Sequence, residues 1–387
     1  MKSIPLYLHI PFCQSRCAYC NFYSTTPLDP KTEERFIDKL IKQIKYQMSL
    51  TGADCFKTIY IGGGTPSGLS IDSLQRLLHF LESGVNSHTL EISMECNPEN
   101  ITEELIDLLN KSPVNRLSLG VQSFNERILA ESGRRTTSNQ IVTALSILKK
   151  EWIGRLNIDM ITGLPGQDKS GQLLDMEKAV ESGAGHISCY SLIVEENSRI
   201  AAHPLLPDGE EEDILWKISR DYLIEKGFNQ YEVSNFCNEG EESLHNLEYW
   251  RMNEYLGCGP GAVGMYRDKD ILRINNPPDI KLWWKGQSEN WNISVEKVAD
   301  RDFLFENFMM GLRTAEGMDR NTFSSRFGIN PEEVISSTIE RSPKNTFTNN
   351  GKNLSLSPEA MLFMNPILIR ISEEIETKDF DFQVRWP

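Results

Sequence analysis

The most informative run of this sequence is Tyr7-Leu8-His9-Ile10-Pro11-Phe12-Cys13-Gln14-Ser15-Arg16-Cys17-Ala18-Tyr19-Cys20. It holds three of the eight cysteines in the 387-residue chain, at Cys13, Cys17 and Cys20. Three thiolates in one loop can hold three irons of a four-iron cluster and leave the fourth iron open. A structural zinc site needs four ligands, and no fourth cysteine follows nearby, since Phe22 stands two residues on. A zinc site completed by His9, or thiols without metal, remain alternatives here.

Composition and charge indicate an ordinary globular chain with an excess of acid. Apolar residues make up 39% and charged residues 25%, and the formal net charge is -15. That sign disfavours non-specific binding to nucleic acid, although a local basic patch is compatible with it. Two prolines and a histidine interrupt the first apolar run, and no apolar window is long enough for a transmembrane helix. We therefore expect a cytoplasmic protein, in which clustered thiols favour metal binding over disulfides.

The first half of the chain alternates short β-type runs with amphipathic helical runs. The predicted strands are 6–10, 57–61, 90–94, 116–120, 156–161 and 186–193, and the predicted helices include 30–50, 71–83, 102–110, 138–150, 172–182 and 210–226. Parallel neighbours need crossover connections, so this order predicts an α/β fold with a parallel sheet. A (β/α) barrel, or part of one, and a doubly wound sheet are both consistent with the periodicity.

The second half divides less regularly. We predict a core domain over 1–236, a connecting segment over 237–300 and a small, mainly helical C-terminal domain over 301–387. The connecting segment is rich in glycine and aromatic residues, with three tryptophans between 275 and 292. Helical periodicity returns after residue 300, in the apolar series Phe303, Phe305, Phe308, Met309 and Leu312.

The run from Tyr7 to Cys20 resembles the signature of radical SAM enzymes, and more narrowly the branch that contains oxygen-independent coproporphyrinogen III dehydrogenase. The resemblance implies a partial (β/α)6 barrel with a [4Fe-4S] cluster on the three cysteines, near the carboxyl ends of the strands. It also implies S-adenosylmethionine (SAM) on the open iron and a reductant that supplies the electron for its cleavage. Tyr7 and Tyr19, which lie within the run, become candidate cofactor-binding residues.

A glycine run follows the second predicted strand, in Ile61-Gly62-Gly63-Gly64-Thr65-Pro66. Glycines at a strand end let the backbone approach a ligand closely, but many β/α turns are glycine-rich without binding one. No Gly-Lys-Ser/Thr follows, so the run is not a phosphate-binding P-loop. It is similar to the radical SAM motif that holds the amino group of SAM, which makes Gly63, Gly64 and Thr65 binding candidates.

Four further polar residues lie at or near predicted strand ends, namely Glu95, Gln122, Arg134 and Asp159. In a barrel, polar side chains at carboxyl strand ends point into the active site. Each could instead cap a strand or face solvent. Their residue types fit the pattern of the coproporphyrinogen-dehydrogenase branch, and the resemblance implies that they contact SAM, of which that branch binds two molecules.

The middle of the chain distinguishes between branches of the family. The dehydrogenase carries a fourth motif cysteine where Phe22 stands. The run His245-Asn246-Leu247-Glu248-Tyr249-Trp250 matches the HNxxYW motif of the HemW-type haem chaperones. Imidazole is a common axial haem ligand, so the resemblance makes His245 a candidate haem contact, whereas the residue types alone would favour a core role. The family's usual second histidine is replaced by Val263.

The resemblance, which also covers 306–317 at the start of the family's C-terminal domain, implies a haem chaperone. Such a protein binds the cluster, SAM and haem or another porphyrin, and it delivers haem to an acceptor apoprotein. The alternative is oxygen-independent coproporphyrinogen III dehydrogenase, which removes two propionate carboxyls by hydrogen abstraction. A third hypothesis, of a different class, is a zinc-stabilised binding protein without SAM chemistry.

Overall fold

A computed structural model describes residues 1–196, 198–287 and 290–385. Within these residues the largest element is a nine-stranded sheet in the order β7-β8-β6-β5-β4-β3-β2-β1-β9. Strands β1 to β6 are parallel, β9 runs parallel to β1, and β8 is antiparallel to β6. The strands are β1 Ser3–Ile10, β2 Cys55–Gly63, β3 Glu91–Cys96, β4 Arg116–Gln122, β5 Arg155–Thr162, β6 His186–Ser191, β7 Asn229–Gln230, β8 Asn235–Cys237 and β9 Leu256–Cys258.

The order of β1 to β6 follows the chain without reversal. A doubly wound sheet reverses direction at a switch point, whereas right-handed crossovers in one direction place all the helices on one face. The predicted parallel-sheet α/β fold is thus confirmed, and its sheet is the open, partial-barrel kind. The helices of this part are α1 Pro30–Thr51, α2 Ile71–Glu82, α3 Glu103–Asn110, α4 Glu126–Glu131, α5 Ser138–Glu151, α6 Lys169–Glu181 and α7 Gly209–Glu225.

Helix α1 shows why the local sequence folds as predicted. The Asp29 side chain accepts a hydrogen bond from the Thr32 backbone N–H and so caps the helix, with Pro30 in its first turn. The helix ends at Gly52, whose φ of 65° is left-handed. Its buried stripe packs against the sheet through Phe36, Ile37, Leu40 and Ile44.

The middle region adds helices and a second sheet to this framework. Helix α8 Leu244–Trp250 precedes β9, and helix α9 Ile280–Lys285 places the buried Trp283 against α1. Between and after them, an antiparallel sheet is formed by β10 Val263–Arg267, β11 Ile271–Asn275 and β12 Ser294–Lys297.

The C-terminal region is mainly helical, as predicted, and it also contains a small antiparallel sheet of order β13-β15-β14. It has a hydrophobic core of its own that includes Phe303, Phe308 and Phe327. Its elements are α10 Asp300–Gly311, β13 Met318–Asp319, α11 Arg320–Phe327, α12 Pro331–Val334, α13 Ser336–Arg341, β14 Phe347–Asn349, β15 Asn353–Leu356, α14 Pro358–Met361 and α15 Met364–Thr377.

The proposed domain boundaries near 236 and 300 stay predictions. Trp283 and Trp291 of the connecting segment pack into the core of the large sheet, whereas Met252 and Met265 pack into the C-terminal core. Positions 197, 288, 289, 386 and 387 of the predicted ranges lie outside the described residues. Among the described residues, no helix is both long and apolar enough to cross a membrane.

Candidate cofactor site

The loop that follows β1 carries the three motif cysteines. All three thiols are free, partly exposed, and line one cavity of about 440 Å³ at the carboxyl ends of the parallel strands. Backbone hydrogen bonds fix the loop, from Cys13 N–H to the Thr25 carbonyl at 3.0 Å and from Ala18 N–H to the Ser132 carbonyl at 3.0 Å. The loop is therefore anchored at Cys13 and at Ala18, while its three thiols line the cavity.

A zinc site would need a fourth ligand beside the three thiols. Among the residues that the structure describes, no three His, Cys, Asp or Glu side chains converge so as to hold a single metal ion. His9 is not available as a fourth zinc ligand, because its ring nitrogens are hydrogen-bonded to the Tyr7 hydroxyl and the Tyr23 carbonyl, each at 2.9 Å. The zinc hypothesis therefore lacks its donor set, whereas a four-iron cluster takes one thiolate on each of three irons.

The surroundings of Cys13 and Cys20 favour the neutral thiols over the thiolates. Burial raises the pKa of Cys13 and of Cys20, and for Cys13 the hydrogen bond from Thr65 opposes this only in part. Near neutral pH both groups stay protonated until a metal ion replaces the proton.

The glycine run lies directly beside the cysteine loop. A Cβ on Gly64 would sit 2.7 Å from the Phe12 carbonyl oxygen and 2.9 Å from the Cys13 Sγ, so no side chain fits there. Gly63 has a φ of 115°, a conformation that favours glycine. The Thr65 hydroxyl donates to Cys13 Sγ at 3.7 Å. The end of β2 thus forms a close cradle against the first motif cysteine.

Two carboxylates face the same cavity from β3 and β5, the strands on either side of β4. Glu95 accepts a hydrogen bond from the Gly63 N–H at 3.0 Å, and burial together with the charge of Asp159 raises the pKa of Glu95 to about 7. Asp159 accepts from the Ser118 hydroxyl at 2.9 Å and from the Asn157 amide at 2.7 Å. Burial raises the pKa of Asp159, and these hydrogen bonds oppose the shift. The part of the cavity wall formed by Glu95 and Asp159 is therefore suited to a cationic group.

Arg134 adds a buried positive charge to the cavity wall, which Arg16 also lines. Its guanidinium donates to the Gly120 carbonyl at 2.6 Å, to the Asn97 Oδ1 at 3.3 Å and to the Tyr19 hydroxyl at 3.5 Å. Its buried Nε has no hydrogen-bond partner, a cost that a bound polar group would remove. Gln122, at the end of β4, has a φ of 71° where the register between β4 and β5 shifts.

The structure brings most of the predicted site residues together around this cavity, from the cysteine loop, the glycine run and the strand ends. The members are Cys13, Cys17, Tyr19, Cys20, Gly63, Gly64, Thr65, Glu95, Gln122, Arg134 and Asp159. Sequence reasoning missed other lining residues, namely Tyr60, Asn97, Ser118 and Tyr190. Asn97 follows the same strand as Glu95, so the strand-end rule that singled out Glu95 would have found it.

Tyr7 is not part of the cavity wall. Its ring lies against Tyr60 at a centroid distance of 6.2 Å, and its hydroxyl is hydrogen-bonded to His9. Tyr60 in turn lines the cavity, so Tyr7 packs behind a residue of the cavity wall.

The structure places His245 behind the cavity wall, with its ring centroid 5.4 Å from that of Tyr60, a residue that lines the cavity. Its side chain is fully buried, with Nδ1 hydrogen-bonded to Thr58 at 2.8 Å and Nε2 to Tyr249 at 2.7 Å. The Glu91 carboxylate, in the first residue of β3, accepts the His245 backbone N–H at 3.0 Å. Burial lowers the pKa of His245 to about 3.

Sequence comparisons agree with this site. The family model described as Radical SAM superfamily matches residues 7–176, and that described as HemN C-terminal domain matches residues 298–363. The chain is 34% identical over 340 residues to the heme chaperone HemW of Lactococcus lactis, covering 86% of this chain and 87% of that protein. It is 30% identical over 375 residues to the heme chaperone HemW of Escherichia coli, covering 95% and 98%.

A solved structure has the same fold. Coproporphyrinogen III oxidase (HemN) from Escherichia coli superposes with a TM-score of 0.80 at 20% identity, covering 96% of this chain and 90% of that one. With the strand order, the cysteine cavity and the near full-length similarity to HemW proteins, we conclude that this chain belongs to the HemW family of radical SAM proteins.

Proposed function

We propose that this chain is a haem chaperone, which binds haem and transfers it to an acceptor protein. The observation that carries the proposal is the 34% identity, over 86% of the chain, to a protein named heme chaperone. Membership of the radical SAM family implies a [4Fe-4S] cluster and SAM. The haem, its acceptor and the reductant of the cluster are part of the proposal.

The residues around the cavity fit these cofactors. Cys13, Cys17 and Cys20 would each hold one iron, and the glycine cradle at Gly64 keeps side-chain atoms away from the first thiol. The cavity pairs the carboxylates of Glu95 and Asp159 with a guanidinium that has an unpartnered Nε, which complements a ligand carrying both positive and negative groups. When bound, the reduced cluster and SAM supply radical chemistry.

Haem contact by His245 stays a prediction from the motif, and the structure shows what it would require. One ring nitrogen would have to give up its hydrogen bond to Thr58 or Tyr249, and the buried ring would have to become accessible. Val263, at the start of β10, stands where the family usually has a second histidine, so this position has no imidazole that could ligate haem. These two observations direct attention to haem sites that do not depend on His245.

The second candidate function, coproporphyrinogen III dehydrogenase, is supported by the shared fold with HemN. Against it stands Phe22, which takes the position of the fourth motif cysteine and exposes 65% of its surface at the mouth of the cavity.

All eight cysteines are free, a state that a reducing compartment maintains, so we place the protein in the cytoplasm as part of the proposal.

The experiment is haem binding and transfer with the anaerobically reconstituted protein. Haem is titrated under absorbance detection, and the loaded protein is then mixed with the apo form of a b-type haem protein. We expect a saturable absorbance change and then appearance of the acceptor's holo spectrum. Absence of haem binding contradicts the chaperone function, and binding without transfer reduces it to haem storage.

A further inference from the structure

The face of the large sheet that carries the cofactor cavity stays polar back to the start of the strands. Ser118, Asn157 and His186 are register partners on β4, β5 and β6, and all three are buried. The alternate residues of the same strands, such as Ile158 and Ile187, belong to the hydrophobic core. Buried polar groups lower stability unless they are hydrogen-bonded, so this polar row depends on the partners it finds.

Hydrogen bonds connect the row to the cavity at one end and to helix α8 at the other. The Asn157 Nδ2 donates to the Asp159 Oδ1 at 2.7 Å, and the Asn157 Oδ1 lies 2.6 Å from the His186 Nδ1. The His186 Nε2 lies 2.9 Å from the Tyr231 hydroxyl, which accepts the Ser243 backbone N–H at 3.2 Å. Ser243 is the N-cap of α8. We call this set the His186 network: Asp159, Asn157, His186, Tyr231 and Ser243.

The carboxylate end fixes the direction of every hydrogen bond in the His186 network. An ionised carboxylate only accepts, so the Asn157 amide turns its NH₂ group to Asp159 and its oxygen to His186. The His186 Nδ1 then carries the proton, and Nε2 accepts from the Tyr231 hydroxyl. The ring is neutral, because burial and the charge of Arg116 lower its pKa well below the usual value. Each group of the network therefore donates toward Asp159.

This arrangement favours the charged form of a carboxylate that burial disfavours. Burial raises the pKa of Asp159, and hydrogen bonds from side chains of β4, β5 and β6 oppose the rise. Asn157 also donates to the Ser118 hydroxyl at 2.7 Å, and that hydroxyl donates to the Asp159 Oδ2 at 2.9 Å. Asn157 therefore acts on both carboxylate oxygens, and the ring of His186 fixes the way in which its amide faces.

We propose that His186 is a positioning residue for SAM binding, which holds the Asn157 amide so that Asp159 faces the cavity as an oriented, ionised acceptor. The inference rests on the part of the proposed function that places SAM in this cavity, and it does not depend on haem. Asp159 lines the cavity, whereas His186 is only 1% exposed. The imidazole therefore acts on the ligand through Asn157 and Asp159.

Few groups around Asp159 change charge near neutral pH. The charged and titratable groups that act on it are Tyr60 on β2, Glu95 on β3, Arg116 on β4 and Tyr190 on β6. Both tyrosines stay neutral, because burial raises the pKa of each hydroxyl. Glu95 has a pKa of about 7 and gives the wild type its pH dependence. Without the His186 network, the pKa of Asp159 rises and a second carboxylate takes up a proton as the pH falls.

The test is SAM affinity by calorimetry on the anaerobically reconstituted chain, at about pH 6 and about pH 8. His186→Phe keeps a flat ring but removes both nitrogens, whereas His186→Asn keeps an N–H donor at the position of Nδ1. Tyr231→Phe, which removes one hydroxyl at the far end of the network, is the milder second variant. Thr338→Val is the control for lost stability, since it breaks a buried hydrogen bond to Glu374 in the C-terminal region.

We expect the ratio of SAM affinities at the two pH values to be up to about tenfold larger in His186→Phe than in wild type, the effect of one pKa unit on Asp159. His186→Asn and Thr338→Val should keep the wild-type ratio, and Tyr231→Phe should lie between. A wild-type ratio in Tyr231→Phe and in any folded His186→Phe overturns the positioning role, whatever the loss in absolute affinity.

Two further outcomes separate this inference from the claims on which it rests. Unchanged SAM affinity in Asp159→Asn overturns the contact between Asp159 and SAM, and with it the inference. No SAM binding by the wild type overturns the placement of SAM in the cavity. Haem binding is titrated separately, so neither outcome bears on the haem that the proposed function requires.

Discussion

Replacing His245 by alanine tests whether this histidine is a core residue or an available haem ligand. The ring is fully buried and holds two hydrogen bonds, at 2.8 Å to Thr58 and 2.7 Å to Tyr249. His245→Ala leaves both hydroxyls without their partner and opens a cavity. An orphaned buried polar group costs about 1–3 kcal/mol, and the cavity adds to it, so we expect a loss of about 2–4 kcal/mol in the free energy of unfolding.

The loss should also depend on pH with a defined sign. His245 has a pKa of about 3 in the folded protein and about 6.5 when unfolded, so between these values the unfolded chain binds the extra proton. The contribution of neutral His245 to the free energy of unfolding is complete above pH 6.5. Below that pH it decreases by about 1.4 kcal/mol for each pH unit. The difference between wild type and His245→Ala should therefore be about 1.4 kcal/mol smaller at about pH 5.5 than at about pH 7.5.

The assay is urea unfolding under anaerobic conditions, followed by tryptophan fluorescence. Asn246→Ala is the matched control, since this neighbour in α8 is partly exposed, and its loss should stay below about 0.5 kcal/mol. A His245→Ala protein as stable as wild type that no longer shows the haem absorbance band would contradict the core role of His245. It would mean that the ring is free to ligate iron in solution.

Three further predictions concern the cofactor cavity. Serine in place of any one motif cysteine should abolish cluster reconstitution, whereas Cys55→Ser, which alters a buried thiol away from the cavity, should keep about four irons per chain by iron and sulfide analysis. Gly64→Ala should strongly reduce the cluster absorbance because its Cβ would lie 2.9 Å from a motif sulfur, while Gly68→Ala, with its nearest neighbour at 3.5 Å, should leave it intact. Glu95, with a pKa of about 7, is ionised above that pH, so SAM affinity by calorimetry should rise by up to about tenfold from about pH 6 to 8. Glu95→Gln should bind SAM with little pH dependence, and a slope like that of wild type would remove Glu95 from this role.

Much of the fold followed from periodicity. Each of the six predicted strands overlaps an observed strand, and the rule for carboxyl strand ends led to Glu95, Gln122 and Asp159, which the structure brings to one cavity. Periodicity could not distinguish a partial barrel from a doubly wound sheet, since both alternate strands with helices. The unreversed strand order, which only the folded chain reveals, made that distinction.

Other features depend on contacts between residues distant in sequence. Strand β9 has three residues in a glycine-rich stretch without β periodicity. It is held beside β1 partly because Gln47 of α1 donates to the Gly257 carbonyl at 2.9 Å and Gln43 accepts the Gly259 N–H at 2.8 Å. The closed surroundings of His245 likewise depend on Thr58, 187 residues earlier. The motif identified the residue, but it carried no information on burial.

As proposed, this radical SAM protein carries haem and does not consume a porphyrinogen. The most direct measurement is haem binding and coproporphyrinogen consumption on the same reconstituted, reduced sample with SAM present. We expect saturable haem binding and no loss of coproporphyrinogen. Consumption of coproporphyrinogen by a sample that binds no haem would contradict it.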